Sequence, residues 1–233
     1  MTSQLEVLYA DDAIVAVDKP AGLASHRSKL VGSDDCYLVD LVREATGRTL
    51  YLAHRLDRAT SGVVLLAATK PLVASLGAQF MARTVGKRYL AVVRGHLDDV
   101  GVVDHPLDAP GKPDPKPATT RFRTLARIEL PIPLSRYTSV RYSLVECEPE
   151  TGRYQQIRRH FRHVSHHLVG DTTHGRGEHN RLFRERFGVH RLLLHARALS
   201  FDHPLGGART TIEAPLDEPF RRALALFGEV AGV

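Results

Sequence analysis

The sequence predicts an α+β protein, and three observations carry that expectation. Residues 5–9, 14–17, 88–94 and 140–147 are short apolar or alternating runs that read as strands. Helical spacing appears at fewer places, residues 36–46 and 70–83 among them, and does not alternate regularly with the strands, which disfavours a doubly wound parallel sheet. Hydrophobic residues make up 43% and charged residues 25% of 233, an ordinary mixture for a globular chain with a sizeable core.

Taken in order, Asp11-Asp12 separates the first two strands. Asp18-Lys19-Pro20-Ala21-Gly22-Leu23 then breaks the pattern, with Pro20 and Gly22 marking a tight loop. In residues 36–46, Leu38, Leu41, Val42 and Ala45 are spaced for one helical face. Residues 63–68 form an apolar run expected to be a buried strand. Thr69 is placed to cap a helix over 70–83, since proline is tolerated in a first turn. That helix should pack Leu72, Val73, Leu76 and Phe80.

Residues 105–117 hold five of the 13 prolines. They are expected to form an exposed, stiff loop, because proline donates no ladder hydrogen bond. After the strand at 140–147, Glu148-Pro149-Glu150-Thr151-Gly152 turns the chain. Residues 158–168 read as a basic helix, residues 192–201 as a late strand and 210–214 as the last. The whole of 1–233 is expected to be a single domain.

Charge points to a partner. The chain carries a net +6, which suits a polyanion. Residues 151–200 contain ten arginines and no lysine against Asp171, Glu178 and Glu185, a net +7, so the remainder sums to −1. Arginine is the better residue for forked contact with phosphate and for stacking on bases. Such a segment is often only a solvated face, but this asymmetry favours nucleic acid.

Other classes are disfavoured. Cys36 and Cys147 follow no metal or redox spacing. His160, His163 and His167 lack the glutamate of a His-Glu-x-x-His pair, and one helix cannot complete a zinc site, so no metal is expected. No Gly-x-Gly-x-x-Gly or phosphate-loop pattern appears. The first residues show no secretory signal, and no apolar run approaches the roughly 20 residues that span a bilayer. The expectation is a cytoplasmic protein without membrane association.

The stretch with the most chemistry is His54-Arg55-Leu56-Asp57-Arg58-Ala59-Thr60-Ser61-Gly62. It sets one carboxylate between two guanidiniums, and opposite charge favours the ionised form. An ionised carboxylate can act as nucleophile or base. By spacing alone, Asp57 is equally an ordinary surface ion pair.

This stretch resembles the signature loop of the RluA-type pseudouridine synthases, His-Arg-Leu-Asp-x-x-Thr-Ser-Gly. Further matches are Lys19-Pro20-x-Gly22-Leu23 with His26, Lys87-Arg88-Tyr89-x-Ala91-x-Val93-x-Gly95, and Thr151-Gly152-Arg153-Tyr154-Gln155-Gln156-Ile157-Arg158. Gly170-Asp171-x-x-His174-Gly175 and Arg191-Leu192-x-Leu194-His195-Ala196 continue the likeness, which runs from about residue 5 to 216. Gln155 stands where the family usually has histidine, and it cannot carry a proton.

The resemblance implies the pseudouridine synthase fold, a mainly antiparallel mixed sheet with flanking helices and a cleft. It also implies an enzyme that isomerises uridine within RNA without cofactor or metal. Asp57 would be the catalytic residue, Arg158 its guanidinium partner, and Tyr89 the ring against the target uracil. Without the family, an aromatic on a strand such as Tyr89 is more often core. Arg55 would fill the gap left by the flipped base. His54, Arg58, Thr60, Lys87, Arg88, Arg153 and Leu194 complete the residues expected to bind substrate RNA.

Within the family the likeness is greatest to the type C branch, which acts on uridine 65 of tRNA. Arg136-Tyr137-x-x-x-Arg141-Tyr142 and His26-Arg27-Ser28 are the residues that suggest it. The chain is expected to act as a monomer, without the small N-terminal RNA-binding domain that many ribosomal members carry. A ribosomal RNA pseudouridine synthase and a non-catalytic RNA-binding protein are the alternatives.

Overall fold

The structure, a computed structural model, describes residues 5–26, 36–230 and 232. Arg27 and Ser28 of the sequence reading lie outside them. In chain order the first elements are β1 (Glu6–Ala10), β2 (Ile14–Lys19), α1 (Leu38–Thr46), β3 (Tyr51–Leu52), β4 (Ser61–Ala67) and α2 (Lys70–Ala82). There follow β5 (Gly86–Arg94), β6 (Val100–Asp104), β7 (Leu107–Ala109), β8 (Lys112–Lys116), β9 (Thr119–Leu130) and β10 (Val140–Pro149). The last are α3 (Gln156–His163), α4 (Gly177–Phe187), β11 (Leu194–Asp202), β12 (Arg209–Glu213) and α5 (Glu218–Leu224). The expected α+β class is what the chain adopts.

Two compact units divide these elements, Met1–Lys87 with Ala196–Pro215, and Arg88–His195 with Leu216–Val233. In the first unit β1 pairs with β2, β2 with β4 and β11 with β12, all antiparallel. β4 is buried at every position, with Val63, Leu65 and Ala67 packed against Ile14, Leu76 and Phe201. That matches the buried strand expected from its unbroken apolar run. In the second unit β5, β10, β9 and β6 pair in that order, all antiparallel. Its core gathers Leu90, Val92, Tyr142, Leu144, Phe183 and Phe220.

Five local expectations are corrected. Thr69 occupies the N-cap position of α2 but makes no side-chain capping bond. Helix α1 begins at Leu38 rather than Cys36, because the Leu38 amide bonds to the Ala24 carbonyl at 2.9 Å. Of its expected apolar face, Leu38 and Val42 are buried while Ala45 is exposed.

The basic helix expected over 158–168 stops at His163. Beyond it Ser165 takes φ 64°, and the backbone turns to pair with β5. The Arg94 amide bonds to His167 O at 2.9 Å, and the Val169 amide to Val92 O at 2.9 Å. Sheet partners therefore replace the helical ones, and His167 leaves the helix that carries His160 and His163.

The proline-rich segment 105–117 is no plain loop. β7 and β8 form a two-stranded antiparallel ribbon with Leu107 opposite Lys116. Proline is tolerated there because each strand of a two-stranded ribbon has one unpaired edge. Pro113 and Pro115, two residues apart, place their missing donors on the same edge. Helix α3 anchors the ribbon. Arg159 Nη1 donates to Asp108 O at 2.7 Å, His160 bonds His105 O at 3.0 Å, and the His105 and His163 rings stack with centroids 3.7 Å apart.

Candidate active site

In the first unit the loop between β3 and β4 carries Asp57. A buried lysine fixes the loop. Lys19, at the end of β2, is 0% exposed, and its ammonium donates to Pro20 O at 2.9 Å, Leu23 O at 2.9 Å and Arg58 O at 3.2 Å. An ammonium has three donors and is tolerated inside a protein only when they are used. Gly22 closes the same junction, its amide bonding Arg58 O at 2.7 Å while its carbonyl accepts from Arg58 Nε at 2.8 Å. At Gly22 φ is 91°, a conformation that favours glycine. Lys19-Pro20-x-Gly22 is therefore the clamp that sets where Arg58, and so Asp57, stands.

The rest of the loop is held as firmly. Ser25 Oγ donates to Leu56 O at 3.3 Å, and the Thr60 amide to Asp57 O at 3.0 Å. His54 Nε2 accepts from the Leu65 amide at 3.1 Å, which places its proton on Nδ1. Burial, then the charge of Lys87, pushes the His54 imidazole down to about 4. His54 is thus neutral at pH 7 and supports β4. Gly62 has φ 111°, and a Cβ there would lie 2.2 Å from Ala196 O. No other residue fits so close to β11. Asp57 is half-buried, Arg55 and Arg58 are exposed, and Thr60 is buried. Arg55 approaches His26 at 3.4 Å.

In the second unit Tyr89 and Arg88 lie on β5, both half-buried, with Tyr89 opposite Cys147 of β10. Arg88 Nη1 is 3.7 Å from Glu146. Lys87, the last residue of the first unit's opening segment, is half-buried, and Leu194 is 3% exposed.

The turn into α3 is built around Gln156. Its Oε1 accepts from Thr151 Oγ1 at 2.6 Å and from the Arg153 amide at 3.0 Å. Its Nε2 donates to Thr119 O at 2.9 Å and Thr120 Oγ1 at 3.0 Å. One buried amide so spends its donors and acceptors tying Thr151-Gly152-Arg153 to the start of β9. Arg153 remains exposed, its Nε reaching Pro117 O at 3.2 Å.

Arg158 is 5% exposed, and its fork goes to Asp171: Nε to Oδ2 at 2.7 Å and Nη2 to Oδ1 at 2.8 Å. Asp171 is thus a carboxylate partner of Arg158 that the sequence reading did not name. Asp171 also accepts from the amides of Thr173 and His174. Burial alone would raise its pKa, but the Arg158 bond, that guanidinium's charge and the two amides outweigh it and hold the carboxyl below its ordinary value.

Gln155, where histidine was expected, accepts from His174 Nε2 at 2.7 Å. The proton of His174 is therefore on Nε2. Asp171 and His174 carry no assigned role in the sequence reading. Their signal was the Gly170-Asp171-x-x-His174-Gly175 pattern. Gly170 is needed there too, since with φ 79° a Cβ would meet Arg191 O at 1.9 Å.

Among the described residues no group of three or more His, Cys, Asp or Glu could hold a metal ion. No helix among them is long and apolar enough to cross a membrane.

These parts define a mixed α+β fold bearing a braced aspartate loop, with a buried arginine on another element. The chain belongs to the RNA pseudouridylate synthase family, whose model matches residues 13–163. It is 42% identical to a tRNA pseudouridine synthase C of Pectobacterium carotovorum subsp. carotovorum, over 97% of this chain and 63% of that one. With the tRNA pseudouridine synthase C of Yersinia pestis it shares 41% identity over 96% of this chain and 91% of the other. Among solved structures, Human RNA Pseudouridylate Synthase Domain Containing 4 superposes with a TM-score of 0.73 at 25% identity, covering 95% of this chain and 92% of that one.

Proposed function

We propose that this chain is an RNA pseudouridine synthase whose substrate is tRNA, at uridine 65, with Asp57 as the catalytic carboxylate. The observation that carries the reading is the bracing of Asp57. Lys19, Gly22 and Ser25 all bond the backbone of residues 56–58, so the carboxylate sits on a fixed scaffold. Pre-set geometry is what a catalytic group requires and what a surface ion pair does not. The tRNA assignment is supported by relatives named for that substrate over nearly the whole of this chain.

In this reading the target uridine leaves its stack, which costs a few kcal/mol. Arg55, exposed on the loop, fills the space left behind, and Tyr89 holds the extruded ring. Asp57 promotes cleavage of the bond from N1 to the sugar, the uracil turns and rejoins through C5, and the proton on C5 is released while N1 takes one up. Nothing is oxidised and no group is lost, so the chemistry needs no cofactor. Arg158, buried and aimed by Asp171, is the third catalytic group. His54, Arg58, Thr60, Lys87, Arg88, Arg153 and Leu194 serve to bind the RNA. The 233 residues act as one catalytic domain, as a cytoplasmic monomer.

The test is to map pseudouridine in cellular RNA with and without this protein, and in unmodified tRNA treated with it. Loss of the modification at tRNA position 65 is expected. Loss in ribosomal RNA instead would move the substrate, and no change anywhere would leave an RNA-binding protein without isomerase activity.

A further inference from the structure

The second unit contains a cavity of about 360 Å³ whose lining includes Arg94, His96, Tyr137, Arg141 and His166. It opens where β5 ends and where residues 131–139 connect β9 to β10. Its volume falls in the range of small-ligand sites. None of its residues belongs to the proposed catalytic set.

The cationic groups here are unspent. The arginines of β9, by contrast, have carboxylates: Arg121 with Glu150 at 2.6 Å, Arg123 with Glu146 at 3.0 Å, Arg127 with Asp99 at 2.7 Å. The guanidiniums of Arg94 and Arg141 have no hydrogen-bond or ion-pair partner among the described residues. The acid in the lining is Glu178, which is exposed. Two guanidiniums left beside a concave surface are ready for an anion from outside.

The rim supplies an aromatic surface. Leu134 and Tyr137 exchange backbone bonds at 3.0 and 3.1 Å, which fixes the turn. Tyr137 is 49% exposed. Arg136 Nη2 donates to its hydroxyl at 3.0 Å, with the guanidinium carbon 5.1 Å from the ring centroid. The Arg136 bond and charge lower the Tyr137 pKa against burial, and the charges of Arg94 and Arg141 lower it further. All three arginines thus act on the same phenol. Paired guanidiniums beside an exposed ring are how single nucleotides are held, phosphate by fork and base or sugar by stacking.

We propose that this cavity is a second RNA contact, taking one backbone phosphate between Arg94 and Arg141 with the adjoining nucleoside against Tyr137. It rests on the reading of the chain as an RNA enzyme, and it extends the RNA footprint to the β9–β10 turn.

The test is equilibrium binding of unmodified tRNA to the full chain, by fluorescence anisotropy, across roughly 50 to 200 mM salt. Arg94→Gln with Arg141→Gln should weaken binding about tenfold at the middle of that range, and the log–log salt slope should fall by roughly 0.7–0.9. Arg141→Gln alone, at an exposed position, should lose about half that effect on a logarithmic scale and decides the matter if the double variant does not fold. Tyr137→Ala should weaken binding severalfold with the slope unchanged, since no charge is lost. Arg83→Gln, an exposed arginine of the first unit, is the control and should bind as wild type. Variants within twofold of wild type, with the same slope, would overturn the proposal. So would uridine monophosphate binding as tightly as tRNA, which would mark a free-nucleotide site. A wild-type protein that binds tRNA but makes no pseudouridine would defeat the functional reading alone, because this readout is affinity.

Discussion

Arg158 and Asp171 form a two-bond fork inside the second unit, Nε to Oδ2 at 2.7 Å and Nη2 to Oδ1 at 2.8 Å, with side chains 5% and 1% exposed. A buried arginine paired in this way is fixed in position, and the pair cannot lose one member cheaply. Arg158→Lys keeps the charge but cannot make both bonds. We expect its single-turnover rate at saturating enzyme to fall by a hundredfold or so, about 3 kcal/mol, with RNA affinity little changed. Arg159→Lys, on the ribbon side of α3, should retain its rate. Equal rates for Arg158→Lys and wild type would remove Arg158 from the catalytic set.

Asp171→Asn removes one partner of a buried ion pair, a change that typically costs about 3–5 kcal/mol. Urea unfolding should show it as a lower midpoint with unchanged slope. A midpoint equal to wild type would mean that the fork contributes nothing net.

Asp57→Asn is nearly isosteric and removes only the charge. Pseudouridine formation should disappear while tRNA affinity stays within a few-fold of wild type. Turnover within tenfold of wild type, measured on the same RNA, would defeat the assignment of Asp57.

Lys19→Met removes a buried cation and leaves Pro20, Leu23 and Arg58 carbonyls short of a donor. Each unsatisfied group costs on the order of 1–3 kcal/mol. A loss of about 3 kcal/mol should lower Tm by roughly 6–12 °C. Activity should fall beyond what unfolding explains, because the clamp on the Asp57 loop is gone. A stable Lys19→Met variant of full activity would show that the clamp is dispensable.

Acid should destabilise the protein in two stages. The imidazoles of His54 and His179 sit near 4 instead of 6.5, burial being the first cause in both, followed by Lys87 and Arg94 respectively. Between those values the unfolded chain binds protons that the folded one refuses, so stability falls as pH drops from about 6.5 towards 4. Asp171, whose carboxyl is held low, acts further down. Its stabilisation is complete above the unfolded value near 3.9 and is lost as pH falls through the folded one. His179→Gln should flatten the first stage in urea titrations at several pH values. The same pH slope in variant and wild type would contradict this account.

Much of this protein was legible in the sequence because local patterns decided it. The alternation in β5, the apolar run of β4 and the helical face of α2 depend on neighbouring residues, and all three elements are where those patterns put them. The motifs around Asp57 and Arg158 were legible for the same reason, being short and contiguous. Tertiary structure decided the rest. Arg158 Nε and Nη2 bond Asp171, a pairing that the fold makes and that spacing along the chain cannot encode. Helix α3 ends at His163 because β5 offers hydrogen bonds to His167 and Val169, partners more than 70 residues away in sequence. The proline-rich segment becomes a ribbon because Arg159, His160 and His163 hold it from α3. Lys19 read as part of a turn, and only the fold shows it as a buried cation shared by three carbonyls. Short-range preference sets which element a segment can form. Long-range hydrogen bonds and buried charge, which require the whole chain to be folded, set where each element stops and which residue it meets.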